Sequence, residues 1–161
     1  MSLVHTERTT GRTLVDNTLF ERLVHRVAHD HAMERQLAER VVDQALAFLG
    51  ACAASPGARL SPSHLVDHGW HAFLMYTREY AAFCDRIAGS FLHHRPEDGD
   101  GLVRGRAVAA TTAALRAAGF QVDPELWAVS ANCSEGSGGD GSDTSGSGSC
   151  PQCHQGCHNS N

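Results

Sequence analysis

The last residues, "CPQCHQGCHNSN", hold the strongest local chemical signal in this 161-residue chain. Cys150 and Cys153 form a C-x-x-C pair, Cys157 follows four residues later, His154 and His158 are interleaved, and Cys133 lies upstream. Thiolates at that bite, completed by imidazole, suit a tetrahedral zinc site. The same string matches covalent haem attachment, which needs an extracytoplasmic route and an axial-ligand scaffold that the chain does not display. A thiol redox motif needs a βαβ setting and a helix N-terminus to acidify the thiol, and neither is visible. The plainer alternative is a tail that scavenges metal without a defined site.

A second group lies mid-chain. The stretch from His64 to Pro96 carries His64, His68, His71, His93 and His94, with Asp67 and Cys84. At about 100° per residue, His64, Asp67, His68 and His71 share one helical face, and spacings of three and four can set ligands on one side of a helix. A solvated polar stripe has the same pattern. Val66, Trp70, Phe73 and Leu74 fill the opposite arc, where a core is expected. Cys84 aligns with Tyr80, Phe83 and Ile87, so it reads as core packing as readily as a ligand. A core site of His71, Cys84 and His94 needs a helix break at Thr77. An unbroken helix would hold His71 and Cys84 about 20 Å apart. His25, His29 and His31 are expected on a solvated face.

These groups must be carried by helices. Asp16 or Asn17 caps a helix with Phe20, Leu23, Val24, Val27 and Ala28 at helical spacing. A second helix runs from about Met33 to Cys52 and ends at "ASPG". Ser61 with Pro62 opens the central helical stretch, and Gly89 closes it. Asp100 can cap a last helix, Gly101 to about Ala118, after which "FQVDPELW" can dock Phe120, Leu126 and Trp127. No segment alternates like a strand. The expected fold is all-α, a single bundle of four to five helices over residues 14–128. A flexible leader over 1–13 and a disordered Gly/Ser linker with its Cys/His tail over 129–161 flank it.

Composition narrows the function classes. The net charge is −5 and every basic residue is arginine, so there is no lysine for a Schiff base or a Walker-type phosphate loop. No basic cluster marks a nucleic-acid or anionic-lipid surface. With neither a secretory signal nor an apolar run of membrane-spanning length, the expected location is the cytoplasm, where six cysteines favour thiols or metal ligands over disulfides.

"DHGWHAFLMYTREYAAFCDRIAG" resembles the Trp-His segment of the glycine-rich-domain-like family, found in plant glycine-rich domain proteins and in short bacterial proteins. In that pattern an Asp precedes Trp-His, a Tyr follows ten residues after the Trp, a Cys four after the Tyr and a Gly five after the Cys. Asp67, Trp70, His71, Tyr80, Cys84 and Gly89 fit, and the likeness covers roughly residues 35–128. Plant members read Trp-His-x-His, where this chain has Phe73, and Asn-Pro, where it has Tyr76-Thr77. The family's proline implies a helix boundary at Thr77. The resemblance implies a helical module without an established activity.

The expected function is therefore a non-catalytic helical module that binds a zinc-type ion through Cys133, Cys150, Cys153, His154, Cys157 and His158, and through His71. Its expected partner is an unidentified protein, not nucleic acid or a membrane. The alternative is a small metal-dependent enzyme in which Asp67 orients His71 as ligand or general base and Cys84 or His94 completes the site. A further alternative makes the Ser/Cys-rich tail a substrate for modification.

Overall fold

The first long apolar run begins where Asp16 accepts the Leu19 N–H at 2.9 Å, the hydrogen bond of an N-cap, and the chain turns helical from Asn17 to Asp30 (α1). Leu19, Phe20, Leu23, Val24 and Val27 on its inner face are buried. The computed structural model describes residues 8–95 and 101–128. Four more helices follow, α2 (Arg35–Ala54), α3 (His64–Leu74), α4 (Thr77–Ala88) and α5 (Gly101–Ala117), and the described residues contain no β-strand. The fold is an all-α bundle.

Helix α2 is the hub, because α1, α3, α4 and α5 all pack against it. Its composition explains the role, with Ala38, Val41, Val42, Ala45, Leu46, Ala47, Phe48, Leu49 and Ala51 all buried. A helix apolar on most of its circumference is stable only when neighbours cover it. The closest approach is at Gly69 of α3, where an added Cβ would lie 2.6 Å from the Ala45 Cβ and 3.1 Å from the Val41 carbonyl. Glycine there lets the two helix backbones come together.

Helices α3 and α4 are separate, and the break falls one residue before Thr77. Tyr76 adopts φ −95°, ψ 67°, outside the helical range, and its N–H turns back to the Phe73 carbonyl at 2.9 Å. Thr77 is the first residue of α4, and Tyr76 precedes it with no side-chain cap. Contacts from α1 hold this corner in place of a cap. Arg22 lies over the Tyr76 ring, 4.5 Å from its centroid, and donates to Glu79 at 3.1 Å. At the far end of α4, Gly89 takes φ 68°, the left-handed geometry of a helix C-cap.

Two sequence-based boundaries need correction. The α3 cap is Ser63, whose hydroxyl accepts the Val66 N–H at 3.2 Å, and not Ser61. The Ser61 N–H is instead spent on Thr111 of α5 at 2.9 Å, and the Ser63 hydroxyl also reaches the Leu126 carbonyl at 2.5 Å, so tertiary bonds fix the start. Residues 8–13, expected as part of a loose leader, are docked. Thr9 pairs with the chain around Phe120 through two backbone bonds of 2.9 and 3.0 Å. A 3-10 turn over Gly11–Leu14 follows, and the Arg12 N–H donates to Asp43 at 2.8 Å.

The "FQVDPELW" segment packs down, burying Phe120, Leu126 and Trp127. Gln44, a buried amide on the core face of α2, organises it. Its Oε1 accepts from the Trp127 indole at 2.7 Å and the Asp123 N–H at 3.0 Å, while its Nε2 donates to the Gln121 carbonyl at 3.1 Å. Asp100, the expected cap of α5, lies outside the described residues, as do 1–7, 96–99 and 129–161. None of the helices described is long and apolar enough to cross a membrane.

Candidate metal centre

Asp67 and His71 are one turn apart on α3, so helical geometry alone brings their side chains together. His71 Nδ1 lies 3.4 Å from Asp67 Oδ2. His94 arrives from the irregular segment beyond α4 and sets its Nε2 2.8 Å from the other carboxylate oxygen, Oδ1. One donor atom from each of the three residues lies within 4.8 Å of the other two, and they are the only such trio of metal-ligating side chains among the described residues. A carboxylate oxygen accepts, so His94 presents its Nε2–H to Asp67 Oδ1, whereas His71, 3.4 Å from Oδ2, stands as an ion-pair neighbour. The two rings face each other with centroids 4.4 Å apart.

The environment is graded. The His94 side chain is 15% exposed and Asp67 24%, whereas His71 is 54% exposed, so the site opens to solvent on the His71 side. Its floor is Trp70, whose indole packs 4.5 Å from the His94 ring and 5.1 Å from Phe48 of the core, measured between centroids. The Trp70 indole N–H donates to the Tyr80 hydroxyl at 2.9 Å, and that hydroxyl donates to the Leu92 carbonyl at 2.5 Å. Burial pushes the Tyr80 phenol well above its ordinary pKa, so it stays protonated and keeps donating.

Cys84 does not join this trio. It is fully buried on α4 beside Tyr80 and Phe83, on the core side of the helix. Cys52 is the other cysteine among the described residues, and burial pushes its thiol up to about 12, away from thiolate chemistry. The tail ligands Cys133, Cys150, Cys153, His154, Cys157 and His158 lie outside the described residues.

The other histidines of α3 form a different arrangement. His68 stacks on His31, with centroids 3.7 Å apart and planes 27° from parallel, and His64 meets His68 edge-on at 4.9 Å. Among the described residues these three rings do not form a trio with donor nitrogens within 4.8 Å of one another, as Asp67, His71 and His94 do. Burial and the neighbouring His31 and His64 lower the His68 pKa to about 4. That ring is therefore neutral at neutral pH and packs as an aromatic. His93, next to His94, contacts only Phe91 among the described rings, at 4.8 Å.

Asp67, His71 and His94 are the residues the sequence singles out; Trp70 and Tyr80 stand there as core and motif positions, and the bond between them forms only because the chain turns at Tyr76. Among known proteins, a family model described as UCP032817-like matches residues 10–107, more than half of the chain. No curated protein and no solved structure matches it.

Proposed function

The chain belongs to the UCP032817-like family, and we propose that its helical domain is a non-catalytic metal-binding module in which Asp67, His71 and His94 hold a zinc-type divalent ion. The observation that carries this is the convergence of two imidazoles and one carboxylate within 4.8 Å. Tetrahedral zinc with bonds of about 2.1 Å has ligand-to-ligand edges of about 3.4 Å. The His71–Asp67 separation of 3.4 Å already has that value, His94 at 2.8 Å would draw back from Asp67 by about 0.6 Å, and the edge between the two imidazoles, within 4.8 Å, would close to the same length. A metal would take the place of the proton that His94 holds against Asp67, and protons would compete with it for the ring nitrogens, so binding would weaken in acid.

The Cys/His tail is proposed as a second, thiolate-rich zinc site. The glycine-rich-domain-like resemblance fits the same proposal, because its Asp, Trp-His and Tyr positions fall on Asp67, Trp70, His71 and Tyr80. We assign the chain to the cytoplasm, with a protein rather than nucleic acid or a membrane as its macromolecular partner.

One observation favours a second reading, a small metal-dependent enzyme. Three protein ligands with one side open is the donor count of catalytic zinc sites, and the half-exposed His71 leaves that side free.

Calorimetric titration of the tag-free full-length chain with zinc tests the proposal. Its comparison is a full-length tail-substituted chain carrying Cys133→Ser, Cys150→Ser, Cys153→Ser, Cys157→Ser, His154→Ala and His158→Ala. The tail-substituted chain is expected to bind one equivalent, and adding His94→Ala is expected to abolish it. Binding that disappears with the tail ligands alone, or survives His94→Ala unchanged, would overturn the core site.

A further inference from the structure

Two of the three ligands sit on a rigid helix, and the third does not. After Gly89 turns the chain out of α4, no backbone–backbone hydrogen bond anchors Ser90 to Arg95 among the described residues. Among the described residues two side-chain hydrogen bonds tie this segment down, beside the packing of Phe91 on Tyr80, Leu92 on the core and His94 on Trp70. One is the bond from the Tyr80 hydroxyl to the Leu92 carbonyl at 2.5 Å, and the other is His94 on Asp67. We infer that Tyr80 is the positioning residue of the centre, fixing His94 over Asp67 by clamping the backbone two residues before it. This inference rests on the metal-site proposal for its purpose, although the clamp itself is a property of the metal-free chain.

The geometry favours the hydroxyl over the ring as the active part. Tyr80 is fully buried, and its ring packs edge-on to Phe73 at 5.1 Å and to Phe91 at 5.1 Å, contacts that a phenylalanine would keep. The hydroxyl is held from behind by the Trp70 indole N–H at 2.9 Å, so its own proton is directed to Leu92. Trp70 serves twice, since its ring also forms the surface on which His94 lies. A chain of bonds therefore runs from α3 through α4 to the His94 segment, and returns to α3 at Asp67. It closes a loop around the site. Partners that orient ligands from outside the coordination shell typically change metal affinity by about 10- to 100-fold when removed.

The test is Tyr80→Phe in the tail-substituted full-length chain, read in two ways. Without metal, nitrogen NMR of the histidine side chains reports whether His94 holds its proton on Nε2 against Asp67, and amide exchange reports protection along Ser90–Arg95. Tyr80→Phe is expected to average the His94 signal between tautomers and to raise exchange in that segment. With zinc, its affinity is expected to fall about 10- to 100-fold. Leu115→Ala on α5, a buried substitution away from the centre, controls for general destabilisation and is expected to leave both the His94 signal and zinc affinity unchanged. An unaltered His94 signal in Tyr80→Phe, or the same change in Leu115→Ala, would overturn the clamp. A wild-type chain that binds no zinc but shows the His94 change would sink the metal site and leave the clamp standing.

Discussion

Helix α3 carries two histidine clusters on one face, and they differ in kind. His64 and His68, with His31 from the end of α1, form a stack of imidazoles in which the partner of each ring is another ring. One turn further on, His71 and His94 also pack ring against ring, but each has in addition a nitrogen near an oxygen of Asp67. Identical side chains thus become packing in one place and candidate ligands in the other. What separates them is a carboxylate that gathers ring nitrogens at a common point, together with a chain segment from elsewhere that supplies the second imidazole.

The comparison breaks most sharply by deleting one cluster at a time. In the tail-substituted chain, Asp67→Ala or His94→Ala is expected to weaken zinc binding by about 100-fold or more, since each removes a ligand and not merely its outer support. His64→Ala with His68→Ala, which deletes the stack, is expected to change zinc affinity less than about threefold. Calorimetric titration reads both, and a comparable loss from the second pair would erase the distinction.

A smaller effect is common to both clusters. Gly69→Ala forces a methyl group against Ala45 and the Val41 carbonyl, and overpacking of this kind costs about 1–3 kcal/mol. Urea denaturation is expected to show that loss while zinc affinity changes little, because α3 shifts as a body. A loss of zinc binding without a loss of stability would mean that the ligands feel the helix–helix seam directly.

The smallest effect lies in the stack alone and is read by pH. His68 titrates near 4 in the folded chain against an ordinary 6.5, so between those values the unfolded chain takes up the proton more readily. Stability is then complete above about pH 6.5 and declines as the pH falls towards 4. His68→Gln is expected to flatten that part of the stability–pH curve measured by urea denaturation on metal-free protein. An unchanged slope would show that burial and the neighbouring rings do not lower the His68 pKa.

The two clusters also differ in how far the sequence could describe them. Asp67 with His71 was legible because an i, i+4 relation is fixed by the helix itself, as were the Asp16 cap, the Gly89 turn and the inner faces of α1 and α2. His94 could be joined to the site only on condition of a break near Thr77. The break occurs at Tyr76, where neither proline nor glycine announces it, and Arg22 of a different helix secures it. Cys84 fitted the same conditional site, but its position on the buried face of α4 keeps it in the core. The stacking of His31 on His68 and the pairing of Thr9 with the Phe120 strand-like segment were not legible, since each joins residues distant in sequence. Gln44 also escaped the sequence reading, since its partners appear only once the last segment folds back.

The central claim, that Asp67, His71 and His94 form a metal site built from nitrogen and oxygen donors, is tested most directly by cobalt(II) absorption on the tail-substituted full-length chain. One equivalent is expected to bind and to develop visible d–d bands without the near-ultraviolet charge-transfer band of a thiolate ligand. No binding, or a thiolate band showing that Cys84 or Cys52 is the ligand, would contradict it.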